Sequence, residues 1–165
     1  GMKVIQGFPD GTFKPQQSVT RAQFVVMLTE ALGLKTSEKT TSFSDDGGIS
    51  AWAKPSIAAA ARSGLIKGSP DQGRTLFKAN QSITRAEMVV ILANALRENG
   101  YATGSAKSDF KDAAQIPDWA QTSAEAAVSA KLINGYQDGT FRPDHTATRA
   151  EGAAMIYRLL EALHM

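Results

Sequence analysis

The sequence predicts an all-α fold, built from three tandem helix–loop–helix units packed as a pseudo-threefold bundle. Three observations lead there. Arg21, Arg85 and Arg149 stand in near-identical segments (TRAQ once and TRAE twice), 64 residues apart each time. Upstream of each lies a glycine-rich turn: IQGFPDGTFKP (Ile5 to Pro15) matches INGYQDGTFRP (Ile133 to Pro143), and IKGSPDQGRTLFKAN (Ile66 to Asn80) is a looser copy. Further upstream, FSDDGGISAWAKPSIAAAARSGLI pairs with FKDAAQIPDWAQTSAEAAVSAKLI at a spacing of 67. The two spacings differ because the turn glycine precedes the threonine by 13 residues in copies one and three but by 16 in copy two. The middle turn therefore carries three extra residues. The repeats are expected at 1–35, 43–97 and 109–165, the first without its first helix.

Each element has a local reason. In copy one, Phe24, Val25, Leu28 and Leu32 recur at helical spacing behind TRAQ. The next helix is expected from about Ala51 to Leu65, with Pro55 near its first turn, where the missing N–H costs little, and Gly64 near its end. The aspartate–glycine turn follows, because glycine accepts positive φ and aspartate bonds the following backbone. Met88, Val89, Leu92 and Leu96 then mark a helix in copy two. Copy three repeats the pair, with apolar positions at 119, 120, 124, 127, 128 and 132, then at Ile156, Leu159, Leu160 and Leu163. Lys35 to Ser42 and Arg97 to Ser108 lack such periodicity and read as exposed connectors. One helix pair cannot bury its own apolar faces, so the copies should pack on one another.

Composition narrows the function. A net charge of +2 with 18 scattered basic residues does not suggest nucleic acid. No apolar run is long enough to span a membrane. The chain has no cysteine, which removes disulfides, thiol catalysis and cysteine–metal sites. His145 and His164 are isolated, and the turns lack the spacing of a calcium loop, so neither metal nor cofactor is expected. No catalytic constellation stands out, and the chain is expected not to be an enzyme. Gly1-Met2 reads as a remnant of recombinant production, and no signal peptide is visible.

T-x-x-E is a capping-box pattern: the threonine oxygen accepts from the third helical amide, and the acid or amide side chain reaches back. Thr20/Gln23, Thr84/Glu87 and Thr148/Glu151 all satisfy it. Capping accounts for these residues but not for the arginine, whose charge meets the positive end of the helix dipole at a cost of about 0.3–1 kcal/mol. Two readings stay open. Each arginine pairs with an acid, such as the turn aspartates Asp10, Asp71 and Asp138. Alternatively, guanidinium and free helix amides converge on a carboxylate or phosphate.

The succession F-x-D, W-A, helix, G-x-x-D-G-T-F-x-P and T-R-A-E before a leucine-rich helix resembles the S-layer homology family over essentially the whole chain. The resemblance implies a pseudo-trimer of repeats with ligand grooves between neighbours. It implies non-covalent attachment of a surface protein to an anionic, pyruvate-ketal-bearing secondary cell-wall polysaccharide, outside a Gram-positive-type bacterium. It assigns Arg21, Arg85 and Arg149 to the acidic glycan. Around them, Asp10, Asp71, Asp138, Gly11 and Gly139 in the turns, Lys14 and Arg142 beside the turn phenylalanine, and Trp52 and Trp119 are further glycan candidates. Packing is the competing expectation for the tryptophans, and solvated surface for Lys14 and Arg142. Phe13, Phe77 and Phe141 are expected as core anchors. A helix from another chain or an upstream segment would complete repeat one. The competing function is a structural, self-assembling module that binds protein partners of the surface layer.

Overall fold

A computed structural model describes residues 14–104 and 109–165. Five α-helices dominate: α1 (Arg21–Ala31), α2 (Lys54–Arg62), α3 (Arg85–Glu98), α4 (Asp118–Ser129) and α5 (Arg149–Ala162). Single 3-10 turns, Asp46–Gly48 and Ala113–Gln115, precede α2 and α4. The first helices of copies two and three are shorter than their periodicity suggested. Trp52 lies in the turn before α2, and Trp119 is the second residue of α4.

The all-α expectation needs one correction. The three extra residues of the middle turn build an antiparallel hairpin, β1 (Ser69–Asp71) against β2 (Arg74–Leu76), with Asp71 opposite Arg74. Gln72 and Gly73 connect the strands at φ 46° and 79°. Two consecutive positive φ values match the right-handed twist of paired strands, which is why a short insertion here becomes a ribbon.

The helices pair across copies rather than within them. α1 packs on α2 and α3 on α4, while α5 packs on α1 and α3. Apolar side chains from all three copies join in one core that includes Phe24, Leu28, Phe77, Leu92, Phe141 and Ile156. Burial follows the pairing. Val25 and Thr29 of α1, and Val89 and Ala93 of α3, are buried; at the corresponding places on α5, Ala153 is half-buried and Tyr157 is 63% exposed. Among the described residues, α5 has no counterpart of α2 or α4.

The residues that enter the three second helices meet at the centre. Val19 N donates to Ala147 O at 3.0 Å, Ala147 N to Ile83 O at 2.9 Å, and Ile83 N to Val19 O at 2.9 Å. These backbone bonds form a closed triangle, and all three side chains are fully buried. Flanking bridges join Ser18 to Thr148, Thr20 to Ser82 and Thr84 to Thr146.

The F-x-D motif also has a physical role. Asp45 accepts from the amides of Phe77 (2.9 Å) and Lys78 (2.8 Å), and Asp112 from those of Phe141 and Arg142 (both 2.8 Å). Phe43 lies 5.4 Å from Phe77 and Phe110 lies 5.4 Å from Phe141, centroid to centroid. Each motif therefore clamps the turn that follows it in the same copy. Phe77 and Phe141 are core anchors as expected; Phe13 lies outside the described residues.

Candidate functional site

All three capping boxes form. Thr20, Thr84 and Thr148 accept from the third helical amide, and Gln23, Glu87 and Glu151 accept from the threonine amides. The first helical amides are also engaged. Arg21 N donates to Gln81 O (2.8 Å) and Ala22 N to Ala79 O (3.0 Å). In the other copies Arg85 N and Ala86 N donate to His145 O and Pro143 O, and Arg149 N and Ala150 N to Gln17 O and Pro15 O. The expectation of free helix amides waiting for an anion is therefore not met. The next copy's turn already supplies carbonyls to them.

The arginines are buried: Arg21, Arg85 and Arg149 are 7%, 3% and 5% exposed. Arg21 donates through Nε to Phe77 O (2.8 Å) and through Nη1 to Glu87 Oε2. Arg85 does the same with Phe141 O (2.8 Å) and Glu151 Oε2 (2.5 Å). Both guanidinium groups lie over the rings of these turns, Arg21 at 5.2 Å from Phe77 and Arg85 at 5.2 Å from Phe141. For Arg21 and Arg85, pairing with the turn aspartates is thus corrected. The partner acid is the capping glutamate of the next copy, which offers Oε1 to its own helix and Oε2 to its neighbour's arginine. The dipole penalty is offset because the charge reaches out of its own helix into the next repeat. In repeat one, the place of Glu87 and Glu151 is taken by the neutral Gln23, which still caps Thr20. Burial lowers the pKa of Arg149.

The turn aspartates bind locally. Asp71 pairs with Arg74 (3.1 Å) across the hairpin, and Asp138 with Arg142 (3.0 Å). Hydrogen bonds from the Thr140 hydroxyl, Arg142 and the Thr140 amide hold the Asp138 carboxyl at about 2. Asp10 and Gly11 lie outside the described residues. Lys14 is exposed. Arg142 is exposed but sits 4.0 Å from the Tyr136 ring centroid. Gly139, at φ 82°, turns the chain between Asp138 and Thr140.

Two grooves open beside these arginine–glutamate pairs. The larger, about 620 Å³, lies beside Arg21 and Glu87. Its floor is Leu65, Ile66, Val90 and Ile91; Lys67, Ser69, Pro70 and Asn94 form its walls, and Trp119 and Asp144 of copy three its rim. The smaller, about 240 Å³, lies beside Arg85 and Glu151, and Tyr136, Met155 and Arg158 line it. Trp119 is 62% exposed and Trp52 59%, so their packing role is overturned. Trp119 borders the larger groove, whereas Trp52 borders neither. Sequence reasoning missed Lys67, Ser69, Asp144, Tyr136 and Arg158. The pairs Ser69/Tyr136 and Lys67/Asn134 differ between copies at matched positions, and that difference was the available signal.

A family profile described as the S-layer homology domain matches residues 1–25, 42–89 and 109–153. The chain belongs to the S-layer homology family. It is 36% identical over 160 residues to an endoglucanase of Bacillus sp. strain KSM-635, a match covering 96% of this chain and 16% of that enzyme. A cellulosome-anchoring protein of Acetivibrio thermocellus is 35% identical, covering 95% of this chain and 35% of that protein. A surface-layer 125 kDa protein of Lysinibacillus sphaericus is 31% identical, covering 96% and 13%. Enzymes and surface proteins thus share this S-layer homology region over a small part of their length. Among the described residues, no helix is long and apolar enough to cross a membrane.

Proposed function

We propose that the chain is a non-enzymatic binding module that anchors a surface protein to the bacterial cell wall, at the extracellular face, through an anionic cell-wall polysaccharide. The observation that carries this reading is the larger groove. An exposed tryptophan plane, apolar floor residues and a cationic wall suit the amphipathic face and charged substituent of an acidic sugar. The relatives named for surface layers and cellulosome anchoring support the same location. A pyruvate ketal, with its methyl and carboxylate, fits both the apolar floor and Lys67.

The three repeats are read as one module with pseudo-threefold packing, a reading that the backbone triangle of Val19, Ile83 and Ala147 supports. The open face of α5 supports a helix from another chain or an upstream segment, seated as α2 and α4 are on α1 and α3. The test is retention on isolated wall sacculi before and after chemical removal of pyruvate ketals. A glycan anchor is released from stripped sacculi. Unchanged retention instead supports a structural module held by protein partners.

A further inference from the structure

The tripeptide Asn-Gly-Tyr occurs twice, at 99–101 and at 134–136. In both places the glycine sits at φ 75°. Sequence and glycine backbone are thus matched, but the surroundings are not. Asn99 closes α3: Tyr101 N donates to Leu96 O (2.9 Å) and Gly100 N to Arg97 O (3.0 Å), the paired bonds of a glycine helix cap. The Asn99 carboxamide donates to Ala95 O at 2.8 Å, and the Asn99 backbone amide donates to the same oxygen at 3.2 Å. Both the side chain and the amide that follows it are held.

Asn134 is exposed, in the stretch that leads from α4 to the Asp138-Gly139 turn, outside any helix or strand. Among the described residues, neither its carboxamide nor the Gly135 amide makes a hydrogen bond. The next amide is engaged, since Tyr136 N donates to Thr140 O at 2.9 Å. An unheld carboxamide therefore precedes an unheld amide nitrogen, and glycine brings no Cβ to hinder their approach.

We propose that Asn134 is a site of spontaneous covalent modification, deamidating through a cyclic imide formed with Gly135. The Gly135 amide gives its proton to hydroxide, and its nitrogen attacks Cγ of Asn134. An N–Cγ bond forms, the Cγ–Nδ2 bond breaks, and Nδ2 takes a proton from water and leaves as ammonia. Water then opens the imide at either carbonyl, giving aspartate or an isoaspartate whose main chain runs through the former side-chain carbon. Nothing is oxidised or reduced, and solvent is the sole co-reactant. The proposal is independent of the glycan reading, but its product changes a groove. Asn134 lines the smaller groove with Arg85, Arg158 and Glu151, and a new carboxylate cancels the surplus positive charge of those three side chains. Isoaspartate also inserts a methylene ahead of Gly135, where even a Cβ would stand 2.4 Å from the Phe110 ring and 2.9 Å from Thr140 O. The turn has no room for it, so the isoaspartyl form is the less stable product.

The test incubates the full chain in mildly alkaline buffer and maps its peptides by mass spectrometry over time. The peptide holding Asn134 gains the mass of an amide-to-acid exchange and splits into aspartyl and isoaspartyl forms, while the Asn99 peptide stays unchanged. Isoelectric focusing follows the same event as a net charge falling from +2 to +1, and Asn134→Gln delays that acidic form. In concentrated urea, where the cap of α3 is lost, Asn99 reacts at a rate close to that of Asn134. Asn134 intact in the folded chain while the unfolded chain reacts overturns the proposal, as does equal reaction of Asn99 and Asn134 in the folded chain. Asn99 still inert in urea shows that the bonds around it are not its protection, which also counts against the argument.

Discussion

Replacing Arg85 by alanine is the most demanding test of how the repeats hold together. The substitution deletes the ion pair to Glu151, the Nε bond to Phe141 O and the guanidinium faces on Tyr136 and Phe141. The Arg85 side chain is 4% exposed and that of Glu151 23%. Breaking a buried pair by removing one partner costs about 3–5 kcal/mol. Glu151 still keeps the Tyr136 hydroxyl and the Thr148 amide and touches water, so the expected loss is nearer the lower end, about 3 kcal/mol. For a chain of this size that is a Tm lower by roughly 6–12 °C. Urea unfolding followed by circular dichroism measures it. A double-mutant cycle with Glu151→Gln should show coupling of about 1 kcal/mol or more, as residues in direct contact do. A loss under about 1 kcal/mol with no coupling would refute the claim that this arginine ties copy two to copy three.

Four further outcomes are expected. Burial pushes the Glu151 carboxyl up, but the Tyr136 hydroxyl, the Arg85 charge and the Thr148 amide together hold it below its ordinary 4.5. A depressed folded pKa means more protons on the unfolded chain, so this contribution is complete above pH 4.5 and fades as pH falls through the folded value; Glu151→Gln should flatten the acid limb of a stability–pH curve. Gly135→Ala places a Cβ 2.4 Å from Phe110 at φ 75° and should cost about 2–4 kcal/mol by chemical denaturation. Gly139→Ala, which meets only the flexible Lys111 side chain, should cost about 1–2 kcal/mol. Trp119→Ala should change stability by less than about 0.5 kcal/mol, since the ring is largely in water, yet reduce retention on sacculi in a pull-down.

What could be read from the sequence was what is local. The capping boxes span four residues each, and all three formed as read. The acid partners of Arg21 and Arg85 lie 66 residues away in the neighbouring copy, so no local rule could reach them. The same limit hid the helix pairing: repeat boundaries suggested α2 with α3, but the partner of α2 is α1. Three extra residues in the middle turn were countable, whereas their hairpin depends on the backbone of Gln72 and Gly73. Trp119 was counted into an apolar stripe, but at the start of α4 it lies largely outside the core and borders a groove. The candidate groove residues Ser69 and Tyr136 stand where the repeats differ, whereas the motifs are what the repeats share.

The triangle of Val19, Ile83 and Ala147 gives the architecture a fixed arity. In a stacked solenoid each unit touches only its neighbours, so units can be added or removed at the ends. Here the last unit donates to the second and the first donates to the last, so the set is closed. A fourth copy would find no vacant carbonyl to join, and two copies would leave buried amides without acceptors. Duplication or loss of single units within this region should therefore be selected against, and domain shuffling should move the three together.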